Sequence, residues 1–297
     1  MTKISNLLYF LCFALGCQIL PGYASDLEKE QRWSEQIVDA LLVGEAVQLD
    51  AGGTAFLGIY TEASEGAGDR AVILLHGIGA HPDWPEIINP LRSELPEHGW
   101  SSLSIQMPIL ANDAALADYA PLFDEVGGRV EAAKTFLRER GNRTIVLIGH
   151  SLGASMGATY LAADSEHGLA GLVAVGMSVI ELDDRMNSVL AVEKISIPVL
   201  DIYGSRDLDT VLNSAKARAA AARLYRHRCR ARGAGDHRSG RPPRARYRAG
   251  FPGGPGFAAA TDRSTSGGKI DRAPHRAGKL ADQPGESVDG TGNREPR

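Results

Sequence analysis

Along this chain, short apolar runs alternate with longer segments in which apolar residues recur every three or four positions. Asp26–Leu42 reads as an amphipathic helix with Trp33, Ile37, Ala40 and Leu41 on one face. Ala46–Asp50 and Thr54–Thr61, around Ala51-Gly52-Gly53, predict the two strands of an opening hairpin. Ala71–Leu75 is a continuous apolar run of the kind buried on both faces. A helix over Trp84–His98, interrupted by Pro90 and Pro96, leads to a strand over Trp100–Gln106. Pro121–Arg140 is a long helix ended by Gly141, and Thr144–Ile148 the strand after it. Ala154–Ala163 is helix-forming and rich in small residues. Leu169–Val175 and Ile197–Tyr203 are the last clear strands, and Asn213–Leu224 is helix-like. This alternation predicts an α/β fold: a mostly parallel sheet, right-handed crossovers and helices on both faces.

Both ends of the chain depart from that pattern. Residues 1–25 read as a signal peptide: Lys3 gives a positive start, Leu7–Leu15 an apolar core, and Gly22-Tyr23-Ala24 small residues where a signal peptidase reads. The run is too short for a stable membrane span, and Asp26, Glu28, Lys29 and Glu30 follow it. The expectation is an exported protein, periplasmic or secreted. Ala14-Leu15-Gly16-Cys17 has some likeness to a lipoprotein cleavage box, without the usual leucine three residues before Cys17. Once the leader is removed, Cys229 is the one cysteine left, so no internal disulfide can form and no cysteine cluster points to a metal.

Charge divides the chain again. Residues 1–223 hold 16 Lys+Arg against 29 Asp+Glu, whereas residues 224–297 hold 16 against 7, and the whole carries −4. The second segment has 13 glycines, 7 prolines and six large aliphatic or Phe residues, too few to offset its ordering entropy, and is expected to be disordered. Its abrupt Arg/Gly/Pro/Ala usage favours translation out of frame over a genuine tail. A nucleic-acid-binding arm fits least, because an exported protein has little access to nucleic acid and only Tyr225, Tyr247, Phe251 and Phe257 could stack on bases. The expected organisation is a leader (1–25), one α/β domain (26–223) and a basic tail (224–297).

The chemistry centres on Gly149-His150-Ser151-Leu152-Gly153, a G-x-S-x-G pentapeptide between a strand and a helix. A sharp turn there leaves a serine hydroxyl projecting above the sheet edge, and small flanking residues relieve its crowding. Asp207 follows a strand in Gly204-Ser205-Arg206-Asp207, a turn that returns a carboxylate to the same edge. Capping the helix that begins near Thr210 is the competing role for Asp207. Asp209 is the alternative acid, and Asp201, inside the strand, a poorer one.

The order of strand, His76-Gly77, strand, Gly149-His150-Ser151-Leu152-Gly153, strand, then strand with Gly204-Ser205-Arg206-Asp207 resembles the α/β-hydrolase superfamily, and is most similar to an exported bacterial branch of it. The likeness covers about residues 45–223. It implies Ser151 as nucleophile, Asp207 as the acid that orients a base, and an oxyanion hole from the backbone N–H groups of Leu152 and of Ile78 in His76-Gly77-Ile78-Gly79. The family's histidine follows one more strand. His237, in Gly233-Ala234-Gly235-Asp236-His237, lies 30 residues past Asp207, but Arg226-His227-Arg228-Cys229-Arg230 cannot be a buried apolar strand. The fold's C-terminal strand and helix are therefore expected to be missing.

Among the other histidines, His76 is expected to be structural, His150 to point away from the serine, and His81, His98 and His167 to be surface or loop residues. Glu181–Ser196 is too short for a large lid, so an open cleft bordered by His81–Trp84 and Met107–Asp118 is expected. The resulting expectation is an exported serine hydrolase acting on small carboxylic esters through an acyl-enzyme on Ser151, without cofactor or metal. The alternatives are a non-catalytic binding protein lacking its base, and a thioesterase or peptidase with the same triad.

Overall fold

The computed structural model describes residues 25–64, 68–233 and 257–259, with the backbone alone for 224–233 and 257–259. Strands form where the apolar runs predict them: β1 (Glu45–Asp50), β2 (Ala55–Thr61), β3 (Arg70–Leu75), β4 (Ser101–Ile105), β5 (Thr144–His150), β6 (Gly171–Val175) and β7 (Val199–Gly204). Helices α1 (Leu27–Ala40), α2 (Ile88–Glu94), α3 (Val126–Glu139), α4 (Leu152–Ala163), α5 (Ser188–Val192) and α6 (Asp209–Gly233) connect or follow them. The sheet runs β1-β2-β4-β3-β5-β6-β7-β8, where β8 is Phe257–Ala259. Strands β4, β3, β5, β6 and β7 are mutually parallel, while β1 and β2 add an antiparallel hairpin at one edge.

Crossover direction decides which helices lie on which face. From β4 to β5, β6 and β7 the chain steps one way across the sheet, whereas from β3 to β4 it steps back. Right-handed connections then put α3, α4 and α5 on one face and α2 on the other. The packing agrees: Val130, Ala133, Leu137, Met156, Ala158 and Leu161 join Leu75, Leu147 and Leu172 in one core. Ile88 joins Val72, Leu74 and Ile148 on the opposite side. The reversal opens a crevice at the carboxyl ends of β3 and β5, the usual ligand position in an open α/β sheet.

Two expectations, on the inward face of α1 and on the end of α6, need correction. Ala40 is exposed, and α1 turns Lys29 and Glu30 inward beside Ile37, because buried partners meet those charges. A three-residue segment, β8, also pairs antiparallel with β7, through Tyr203↔Ala258 and Gly204↔Phe257. Helix α6 continues beyond residue 223 through Arg226–Arg230 to Gly233, consistent with the helix propensity of its Ala and Arg residues. The leader through Ala24, His237 and the rest of the tail beyond Gly233, β8 apart, lie outside the described residues. No described helix is long and apolar enough to cross a membrane.

Candidate active site

Ser151 sits where β5 turns into α4, at φ 53° and ψ −122°. Among the described residues it is the one non-glycine with positive φ, a conformation that costs about 1–3 kcal/mol and is retained where surrounding structure enforces it. Here its N–H donates to Val175 O of β6 at 2.8 Å, and its carbonyl accepts from Ala154 N–H at 3.0 Å. The flanking glycines are sterically required. A Cβ on Gly149 would lie 2.5 Å from Ala154 Cα, and one on Gly153 would lie 2.6 Å from Leu75 O. The pentapeptide is thus a β3–β5–α4 packing requirement, and the serine it presents is half-buried rather than sealed.

The loop after β3 lies directly against the serine. A Cβ on Gly77 would fall 2.9 Å from Ser151 Cβ and 3.4 Å from its Oγ. His76, 1% exposed, anchors this loop from beneath. Met107 N–H donates to its Nε2 at 2.9 Å, so Nδ1 carries the ring proton and donates to Gly77 O at 3.0 Å. Burial pushes its pKa down to about 3 and keeps the ring neutral. Ile78, exposed, follows Gly77, and Leu152 opens α4, where the first N–H groups have no intrahelical acceptor. Neither amide donates to another described residue.

Asp207 occupies the turn after β7. Its Oδ2 accepts from Gly204 N–H at 3.2 Å and its Oδ1 from Leu208 N–H at 2.8 Å. Those acceptors close its own turn, so it is not capping the first turn of α6. Its carboxylate lies 3.6 Å from where a Cβ on Gly176 would sit, and Gly176 follows the strand end that holds Ser151 N–H. Ser151 and Asp207 therefore share one edge of the sheet. Asp209 is exposed on the first turn of α6. Asp201 is engaged elsewhere: Arg218 Nε donates to its Oδ2 at 3.0 Å.

The remaining histidines are less uniform than the sequence suggests. His150 is half-buried and Asp207 and Glu86 both act on it electrostatically, drawing its pKa up against a larger depression from burial. Its Nδ1 is buried without a partner among the described residues. Its neighbourhood with Asp207 has no sequence signal, since 57 positions separate them. His81 stands edge-on between Trp33 and Trp84, with centroids 5.7 and 5.4 Å away. His167, expected to be a surface or loop residue, lies in a loop but is buried, and its Nδ1 accepts Leu169 N–H because its side chain folds back onto that loop. His98 is exposed, as expected. No described imidazole is hydrogen-bonded to Ser151 or Asp207.

The β6–β7 connection carries two short helical turns, Asp184–Met186 and α5. Two cavities, of about 490 and 530 Å³, lie elsewhere. The first is lined by α1 and the β1–β2 hairpin, the second by Val179, Asn187, Leu190 and Asn213 among others, and Ser151 lines neither. Backbone geometry, rather than a cavity, is what sets Ser151 apart among the described residues.

The chain is similar to solved structures. A candidate dienelactone hydrolase from Klebsiella pneumoniae subsp. pneumoniae MGH 78578 is 14% identical, with TM-score 0.50, over 62% of this chain and 81% of its own. An esterase from Pyrococcus furiosus is 16% identical, with TM-score 0.48, over 63% of this chain and 80% of its own. At such identities the likeness concerns the fold, which is that of the α/β-hydrolases. No curated protein matches the chain. The family described as "Protein of unknown function (DUF3530)" matches residues 21–126 and 122–229, well over half of the sequence, and the chain belongs to that family.

Proposed function

We propose that this protein is an exported serine hydrolase that cleaves carboxylic esters. The observation that carries the reading is the strained Ser151 backbone at the sheet crevice, packed against the Gly77 loop. In the proposed reaction Ser151 Oγ bonds to the acyl carbon while the N–H groups of Ile78 and Leu152 hold the developing oxyanion. A base takes the serine proton and delivers it to the departing alcohol, and water then releases the acid from the acyl-enzyme. Asp207 orients that base. The sequence offers His237 for this role, and it lies outside the described residues. The leader at 1–25 supports a periplasmic or secreted location, and the short β6–β7 connection favours small accessible esters over long lipid chains.

A binding protein that has lost catalysis is the second reading, supported by the absence of an imidazole bonded to Asp207 among the described residues. An active-site-directed fluorophosphonate separates the two. The enzyme reading expects labelling of the folded protein that disappears in Ser151→Ala and falls at least about a hundredfold in Asp207→Ala. Folded wild-type protein that takes up no label overturns it. Matched p-nitrophenyl ester, thioester and aminoacyl substrates then distinguish an esterase from a thioesterase or peptidase.

A further inference from the structure

Thr54 Oγ1 and Gln106 Oε1 are buried oxygens without a hydrogen-bond partner among the described residues. Thr54 is 6% exposed and Gln106 1%. Both line the cavity of about 490 Å³ between α1 and the β1–β2 hairpin. The orientation of the Gln106 amide is fixed by its neighbours. Its nitrogen donates to Met107 O at 2.7 Å and lies 3.2 Å from His76 Nε2, and an oxygen at that place would face two acceptors. Oε1 is therefore on the other branch, an acceptor that no described donor meets. The remaining walls are largely apolar. Leu27 and Val38 of α1 border the cavity and are 37% and 46% exposed, and Val47 and Phe56 border it from the hairpin. Glu30 is the charged residue of this lining, and Arg129 already donates to both its oxygens, at 2.7 and 2.9 Å.

We propose that this cavity is a second ligand site, separate from Ser151, for a small uncharged alcohol with an aliphatic chain. The hydroxyl donates to Gln106 Oε1 and accepts from the Thr54 hydroxyl, so one group answers both unmet atoms. A buried polar atom left unmet is costly, and a ligand that meets it recovers that cost on binding. The chain of the alcohol covers Leu27, Val38 and Phe56, which offer water no hydrogen bond. An acceptor that lacks a donor excludes ligands with no O–H or N–H, and the guanidinium on Glu30 leaves a charged ligand without advantage. Gln106 follows the carboxyl end of β4, and Thr54 precedes β2, which runs antiparallel to it. The polar end of the site therefore lies on the same sheet edge as Ser151. Strand β3 separates β4 from β5, which sets the two sites about 10 Å apart across the sheet.

The test titrates the isotope-labelled full chain with n-hexanol and with its isomer dipropyl ether, which has no O–H, and follows amide resonances by NMR. n-Hexanol is expected to shift the amides of Thr54 and Gln106 and to saturate with a Kd of about 1 mM. Dipropyl ether is expected to bind at least about tenfold more weakly, because it cannot donate to Gln106 Oε1. Thr54→Val, which removes the hydroxyl and keeps the side-chain outline, is expected to weaken n-hexanol about tenfold. Ser34→Phe, which fills the cavity from α1, is expected to abolish the shifts. No saturation by about 10 mM overturns the site and leaves both oxygens to water. Equal binding of the two isomers, or n-hexanol binding that survives Ser34→Phe, also overturns it. The comparison of isomers uses the wild-type chain, so it decides even where a substitution unfolds the protein. Fluorophosphonate labelling at Ser151 is a separate readout, so failure here is separable from failure of the hydrolase reading.

Discussion

On one face of the sheet, Leu147, Leu172 and Ala174 are closed off beneath α3, α4 and α5. On the other, Val173 and Val175 of β6 are half-buried, and Leu200, the β7 residue paired with Val173, is 42% exposed. Strands β5 and β6 carry apolar residues on both sides, Leu147 and Leu172 on one and Ile148 and Val173 on the other. What differs is the cover, and crossover direction sets it. Steps from β4 toward β7 all place their helices on the closed face. The single reversed step, β3 to β4, gives the other face α2, and Ile37 of α1 packs there on Leu57 and Ile59 of β2. That cover serves the half of the sheet bearing β2 to β5, and no described helix lies over β6 and β7 on the same side. Ser151 stands where the two regimes meet.

The sharpest way to break this comparison is to truncate matched residues. Leu147→Ala, on the closed face, is expected to cost about 3–5 kcal/mol of unfolding free energy, whereas Leu200→Ala, on the open one, is expected to cost less than about 1 kcal/mol. Urea unfolding of both variants measures the contrast, and equal losses would mean that β6 and β7 are covered in solution.

Acid provides a second handle. His76 has a folded pKa of about 3, below its ordinary unfolded value, so between these values the unfolded chain binds a proton that the folded chain refuses. Its contribution is complete above about pH 6.5 and is lost as pH falls, amounting to about 3 kcal/mol by pH 4. Unfolding free energies measured across this window should slope less steeply in His76→Gln than in the wild type. An unchanged slope would assign the acid sensitivity to the carboxylates.

The smallest effect sharpens the site itself. His150 stands half-open with Asp207 drawing its pKa upward, so Asp207→Asn is expected to lower that pKa further. The ring-proton titration of His150 by NMR reads this directly. No change would separate the two residues electrostatically, while His76 serves as the internal control that stays neutral throughout.

Much of the local geometry of the candidate site was legible because its determinants are local. Gly149, Ser151 and Gly153 encode a turn, and the structure shows backbone neighbours that exclude any Cβ at either glycine. The Gly204–Asp207 turn was legible for the same reason, as its carboxylate closes hydrogen bonds within four residues. The inward charges of α1 were not. A helical period that groups Trp33, Ile37 and Ala40 gives no sign that Lys29 and Glu30 will be buried while Ala40 faces solvent. Nor does any spacing announce that His150 will share the field of Asp207, or that His167 will be enclosed by its own loop.

The amino-acid sequence by itself determined the order of strands and helices, the tight serine turn and the acidic turn after β7, because backbone geometry and side-chain period depend on near neighbours. Only the tertiary structure decided which sheet face is closed, and that Glu30 meets Arg129 across 99 positions to make a buried charge tolerable. Burial of a charge depends on a partner brought from far along the chain, and crossover handedness decides which partners arrive.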